Sequence, residues 1–158
     1  MIPLLIKEVS RSDRAALLFS FNHLGERSLH QRFMTSLRTA AVREVDRIVA
    51  ADHWHSEALI AFAPAPRTPV GVAEYVRLDD FDVAEVAVAV VDGWQRRGVG
   101  NALVEALRVR ALAAGVRHFE ATMLRDNRGA LALTRHFGVC STRGARQSLL
   151  EVVVDLRR

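Results

Sequence analysis

The chain has 158 residues, half of them hydrophobic, one cysteine and a formal net charge of +4. That length and apolar content suit a single domain, residues 1–158, around one continuous core and leave little room for a second. Cys140 alone excludes an internal disulfide and a cysteine-based zinc site, and no apolar run approaches the roughly 18 residues that cross a bilayer. Met1 to Ser10 lacks the basic start, apolar stretch and cleavage site of a signal peptide, so a cytoplasmic protein without membrane contact is expected. The basic balance does not call for nucleic acid. Its arginines are dispersed among acids, Lys7 is the only lysine, and no basic stripe is interleaved with aromatics that could stack on bases.

Leu4 to Val9 predicts a short strand. Ser12 then begins a helix, its hydroxyl capping free N–H groups while Asp13 favours the positive end, and Ala16, Leu17, Phe19, Phe21 and Leu24 cover the inner side up to about Gly25. Further helices are predicted from Ser28 to about Arg38 and from Ala41 to Ala51, the latter with Val42, Val45, Ile48 and Val49 at helical spacing. Ala58 to Ala63, the turn Pro64 to Pro69 and Val70 to Leu78 form a hairpin. Val83 to Val91 reads as a strand buried on both faces, interrupted by Glu85. A helix follows from Val99 to Ala114, closed by Gly115 as a left-handed cap, then a strand from Arg117 to Met123. Asn127 opens a last helix ending at Gly138. Strands at Val139 to Thr142 and Ser148 to Leu156 complete a mixed α/β layer structure.

The most informative stretch is Gln95-Arg96-Arg97-Gly98-Val99-Gly100-Asn101-Ala102, between the buried strand and an amphipathic helix. The first N–H groups of a helix lack internal partners and carry partial positive charge, so strand, glycine turn and helix together make an anion site. Gly98 and Gly100 keep side chains out of the way, and Arg96 and Arg97 add charge-assisted contacts. No Gly-Lys-Ser/Thr follows, as a P-loop requires, and no third glycine arrives at the dinucleotide spacing.

The stretch matches Gln/Arg-x-x-Gly-x-Gly/Ala and resembles the pyrophosphate loop of the GNAT superfamily of N-acetyltransferases. Asn127, Ala130, Leu133 and Gly138 resemble that superfamily's pattern at the helix after the fifth strand. Ser28 to Phe33, Val45 to Asp52, and Ala84 to Val88 leading into Asp92 are similar to the catalytic domain of bacterial Pat-type protein lysine acetyltransferases. The resemblance implies a mixed, mostly antiparallel sheet of about seven strands flanked by helices. It also implies an acyltransferase that passes an acetyl group from acetyl-CoA to a primary amine, on a protein lysine or a small molecule. The cosubstrate would then be bound by Val88, Ala89, Val90 and Val91 of the strand, by Gln95 to Ala102, and by Asn127 along the pantetheine arm.

An amine is protonated at neutral pH and must lose a proton before it can attack a thioester. Glu85 is the expected general base: it stands alone in an apolar strand, where burial would raise its pKa, and it aligns with the glutamate of the Pat-type pattern. A structural ion pair is the competing reading of Glu85, and Glu74 and Glu120 are rival bases, although strand alternation could turn either to solvent. Thr134 occupies the place where the resemblance puts a tyrosine acid, which leaves protonation of the thiolate to water. Tyr75 reads as a core or rim residue and Cys140 as a small core residue. Asp52, His53, His55 and Glu57 read as a solvated or substrate-facing group, with no metal expected. The competing function is an acyl-CoA-binding regulatory module without turnover, which has no reason to keep an isolated Glu85 facing the thioester.

Overall fold

A computed structural model describes residues 2–33, 38–138, 140–146 and 148–157. Its centre is a long hairpin of β2 (Ser56–Pro64) and β3 (Arg67–Arg77), whose valine- and alanine-rich runs suit strands covered on both faces. β1 (Leu5–Glu8) pairs with the outer edge of β2, and β4 (Val83–Val90) pairs with β3 from Gly71↔Val90 to Arg77↔Ala84. β5 (His118–Leu124), β6 (Cys140–Arg146) and β7 (Leu149–Asp155) complete a seven-stranded sheet in the order β1-β2-β3-β4-β5-β7-β6. Every neighbouring pair is antiparallel except β4 and β5.

Strand alternation sends successive side chains into two cores. On one face α1 (Arg14–Asn22), α2 (Glu26–Phe33) and α3 (Arg38–Val49) bury Leu17, Phe21, Leu29, Val45 and Ile48 against Ala58, Ile60, Val72 and Ala89. On the other, α4 (Val99–Ala113) and α5 (Arg128–Phe137) bring Leu103, Leu107 and Phe137 onto Leu59, Ala73, Tyr75, Phe119 and Val152. Tyr75 is therefore a core residue. Gly115 has φ +88 and ends α4 in the left-handed conformation its position predicts. Among the described residues no helix is long and apolar enough to cross a membrane.

Several details depart from the sequence reading. The turn after β1 is built on Ser10, not Ser12: the Asp13 carboxylate accepts the Ser10 N–H at 2.8 Å and the Lys7 ammonium at 2.6 Å, whereas Ser12 meets only the Ser10 hydroxyl. Phe19 lies on the exposed side of α1, stacked on His23. α2 starts two residues before Ser28, and residues 34–37 of the predicted helix lie outside the described residues, as do Val139 and the Cys140 side chain. β4 is not buried on both faces. Glu85 is exposed and Val86 to Val88 are half-buried, because β5 leaves the side of β4 after Glu85.

Burial opposes ionisation of Asp13, but its bonds to Lys7 and Ser10 outweigh burial and hold its carboxyl below the ordinary value. A depressed carboxylate contributes stability above its unfolded pKa and loses it as pH falls through the folded one. Asp13→Asn is therefore expected to lower stability by about 1 to 2 kcal/mol at pH 7. Urea midpoints measured from pH 7 down to pH 2 should converge with those of the unaltered protein; a gap that stays constant with pH would show that the Asp13 charge plays no part.

Candidate active site

The parallel strands β4 and β5 touch at only three residue pairs, Val83↔His118, Ala84↔Phe119 and Glu85↔Glu120. Beyond them β4 stays with β3 as far as Val90 and β5 stays with β7 as far as Leu124, so the two strands part into a fork. Along it, the edge of Val86 to Val90 that faces β5 has no partner strand among the described residues, and such an edge can bind an extended ligand that carries amides. At the root of the fork Glu85, Glu120, Thr122 and Glu151 line a groove of about 200 Å³. Glu120 also borders a wider groove of about 580 Å³, lined by Arg77, Leu78, Asp79, Asp80 and Val83. Glu85 thus reaches the groove without the burial that the sequence reading assigns it.

At the far end of the fork, β4 runs through the turn Asp92–Trp94 into Gln95 to Gly98 and then α4. Arg96 and Gly98 both adopt left-handed backbone, with φ 60° and 87°. For Arg96, which carries a Cβ, that conformation costs on the order of 1 kcal/mol. Left-handed residues interspersed in a turn bring successive N–H groups to one concave side, a shape that binds anions. The first helical bond runs from the Ala102 N–H to the Gly98 carbonyl, so the N–H groups of Val99, Gly100 and Asn101 precede any partner within α4. Arg96 and Arg97 are exposed beside them, with the Arg97 guanidinium 4.9 Å from the Trp94 ring centre. Backbone donors, the helix dipole and two exposed arginines therefore lie within one short segment, which makes its electrostatics favourable to an anion.

The remaining expected residues are engaged in definite ways. The Gln95 amide donates to the Ser28 hydroxyl and to the Val90 carbonyl, each at 3.0 Å, so its side chain is shared between α2 and β4. Asn127 caps α5, its side-chain oxygen accepting the Ala130 N–H at 3.1 Å, just past the end of β5. The Thr134 hydroxyl donates to the Leu131 carbonyl at 2.8 Å.

Glu74 corrects the expectation that alternation could turn it to solvent: it is buried beneath α2 and α3. Its Oε1 accepts from Arg32 at 2.9 Å and from Arg47, which also holds Glu44. Burial lowers the pKa of Arg32 against the opposing charges of Glu74 and Glu44. For Arg47 burial is outweighed by the hydrogen bonds to Glu44 and Glu74, which hold its pKa above the ordinary value. The Arg32 Nε is buried without a hydrogen-bond partner among the described residues.

Asp52, His53 and His55 are exposed, in keeping with a solvated loop, while Glu57 is buried. Asp52 accepts backbone N–H groups from Trp54, His55 and Ser56 and a bond from the His55 ring, which hold its carboxyl well below the usual range. Glu57 is buried against His53 at 2.7 Å and Arg110 at 3.4 Å. The ligand atoms of Glu8, His53 and Glu57 lie within 4.8 Å of one another, but Arg110 pairs with both carboxylates and already supplies the positive charge. Arg77, which the sequence reading does not single out, donates to the carbonyls of Trp54, Phe81 and Ala114 and lies 4.3 Å from the Trp54 ring centre. It ties together three loops at the wide end of the grooves.

The fold is a forked mixed sheet whose fourth strand runs through a glycine turn into the start of a helix. A model of the acetyltransferase (GNAT) family matches residues 27–139, and the chain belongs to that family. It is an acyltransferase with acetyl-CoA as cosubstrate. The structure is similar to the GNAT domain of S. lividans PAT, at 22% identity and TM-score 0.86 over 96% of this chain and 89% of that one. It is also similar to yncA from Salmonella typhimurium with its cofactor acetyl-CoA, at 18% and 0.75 over 97% and 94%. A cAMP-binding acyltransferase from Mycobacterium smegmatis matches at 26% and 0.65, with 98% of this chain covering 45% of that one. The likeness to a Pat GNAT domain agrees with the resemblance carried by Ser28 to Phe33 and Ala84 to Val88. The residues present fit acetyl-CoA: the concave turn suits its phosphates, and the unpaired edge of β4 suits the amides of its pantetheine arm.

Glu74→Gln would leave Arg32 buried opposite a neutral amide. Breaking a buried pair from one side costs about 3 to 5 kcal/mol, so this variant should melt far below the unaltered protein while keeping its activity at temperatures where it stays folded. A melting temperature unchanged by Glu74→Gln would show that the ion cluster does not anchor α2 and α3.

Proposed function

We propose that the chain acetylates a primary amine, on a protein lysine or a small molecule, by direct attack on acetyl-CoA with Glu85 as general base. The observation that carries this reading is the register: Glu85 is the last residue of β4 to pair with β5, so it stands where the fork opens and lines the groove at its root. In this reading the backbone N–H groups from Arg96 to Asn101, with Arg96 and Arg97, hold the pyrophosphate. Val88, Ala89, Val90 and Val91 run along the pantetheine arm, and Asn127 meets that arm from the end of β5. A ligand held this way brings its thioester to the root of the fork, beside Glu85.

Support for Glu85 comes from position and access, not from burial. The incoming ammonium gives its proton to the carboxylate, directly or through one water. The nitrogen then bonds to the thioester carbonyl carbon, the carbon–sulfur bond breaks, the thiolate leaves, and the nitrogen gives up its second proton to water, which relays it to the thiolate. Water is the proton donor to that thiolate, since the Thr134 hydroxyl is engaged with Leu131 and is a weak acid. Glu120 opposite Glu85 and Glu151 two strands away give the groove a negative lining that suits a cationic acceptor.

Two substitutions separate cosubstrate binding from proton transfer. A Cβ at Gly100 would meet Leu133 and Val90 at 3.8 Å, ordinary contact, so Gly100→Val should fold yet crowd the phosphate turn. Calorimetry with acetyl-CoA should show at least a tenfold loss of affinity; unchanged affinity would move the phosphates elsewhere. Glu85→Gln should leave acetyl-CoA affinity and melting temperature near those of the unaltered protein and lower turnover by about 10²- to 10⁴-fold, followed as thiol release with a panel of lysine peptides and small amines. Near-normal turnover in a stable Glu85→Gln protein would remove Glu85 from the mechanism.

A further inference from the structure

We propose that Gln95 is a positioning residue that couples the occupied phosphate turn to helix α2, the helix lying over the acceptor side of the fork. The proposal rests on the cosubstrate reading above and gives the Gln95 side chain a role apart from holding the cosubstrate.

Gln95 immediately precedes the left-handed Arg96, so its backbone belongs to the segment that a bound phosphate would fix. Its side-chain nitrogen reaches the Val90 carbonyl at the end of the fork edge, the Ser28 hydroxyl in the first turn of α2, and more distantly, at 3.4 Å, Asp92. A second contact joins the same two segments. Gly25, next to the start of α2, lies so close to Asp92 that an added Cβ would sit 2.5 Å from its carboxylate oxygen. One end of α2 is therefore held to the phosphate turn at two points. Leu29 anchors its middle in the core, and Arg32 fixes its other end on Glu74 of β3. Between these anchors α2 packs over both β4 and β5, and the charge of Glu85 acts on Arg32.

A hydrogen bond between solvent-accessible groups is weak, worth a factor of about three to ten in an equilibrium. Such a latch biases α2 rather than locking it, which is what a coupling element requires. Phosphate held on the N–H groups of the turn restricts the Gln95 backbone, and a restricted backbone loses less entropy when its side chain bonds Ser28. Linkage makes the effect reciprocal: whatever order the cosubstrate imposes on α2, ordering α2 returns as affinity for the cosubstrate. Filling the turn thus completes the roof of the groove that receives the acceptor.

Hydrogen exchange of the α2 amides in the full chain tests this with coenzyme A itself as the probe, so no acceptor is needed. Coenzyme A should slow exchange across Leu29 to Phe33 by about three- to tenfold in the unaltered protein. Gln95→Ala and Ser28→Ala should each abolish that slowing, while Ser28→Thr, which keeps the hydroxyl, should preserve it. Ser28→Ala removes no group from the turn, yet by linkage it should weaken coenzyme A binding in calorimetry by the same factor that α2 protection loses. Tight binding without any response in α2, or a response that survives both alanine variants, would overturn the coupling and leave the cosubstrate reading intact. Failure of coenzyme A to bind the unaltered protein would overturn that reading and the coupling together.

Discussion

The parting of β4 from β5 after three residue pairs of shared register is the constraint on which the rest of the site depends. Two parallel strands held together along their length would satisfy each other's backbone groups and leave no opening in the sheet. Here three residue pairs fix the relative height of the strands, and divergence beyond them exposes the backbone edge of Val86 to Val90. An unpaired edge is ordinarily a liability that invites pairing with another chain. This one is flanked by helices on both faces, by α2 on one side and by α4 and α5 on the other, which restricts the approach of another chain. The same divergence leaves Val86, Ala87 and Val88 half-buried and sets Glu85 and Glu120 level with each other at its root.

Holding such a fork open needs elements that do not depend on β4–β5 hydrogen bonds. On the α1–α3 face that work falls to charges as well as to apolar packing, because Glu74 sits beneath two helices and binds an arginine from each. A buried carboxylate facing two guanidinium groups is a poor source of net stability, since desolvation consumes most of the attraction. It is a strong source of specificity, since any shift of α2 or α3 along the sheet would strand a charge away from its partner. Arg77 works similarly at the edge of the wide groove, where its guanidinium satisfies three carbonyls from three loops that have no regular pairing of their own.

Much of this was legible in the sequence where one local signal decides the outcome. The Gly98 turn, the Gly115 cap, the Asn127 cap and the hairpin around Pro64 to Pro69 are short-range features, and each lies where its residues predict. Long-range features were not legible. The valine and alanine run of β4 has the composition of a strand covered on both sides, but composition does not report that a neighbour departs halfway along it, so Glu85 reads as buried. Strand alternation leaves Glu74 with two equal faces to choose from, and its partners Arg32 and Arg47 come from helices distant in sequence, so no local pattern announces the pairing. The insertion of β7 between β5 and β6 has no local signal at all. Asp52 and His53 to Glu57 carry the residue types of a substrate or metal site; Asp52 is satisfied locally by the turn it caps, and only the proximity of Arg110, distant in sequence, shows that the Glu57 charge is already matched.

The distribution of charge along the fork explains why the overall balance of +4 says so little about partners. One end presents Arg96, Arg97 and the positive end of α4; the other presents Glu85, Glu120 and Glu151, with Asp79 and Asp80 beyond them. A side-chain hydrogen bond with Asp82, together with the negative charge of that neighbour, holds the Asp80 carboxyl above its ordinary value. Glu85 and the end of β4 at Val90 are five residues apart, roughly 17 Å of strand, about twice the screening length at physiological salt, and Arg96 and Arg97 follow beyond Val90. At that separation neither pole cancels the other. Under the proposed function the phosphates lie at the positive end and the acceptor ammonium at the negative one, so the charge pattern favours one direction for an extended acyl donor in the fork and one side for the amine that meets it.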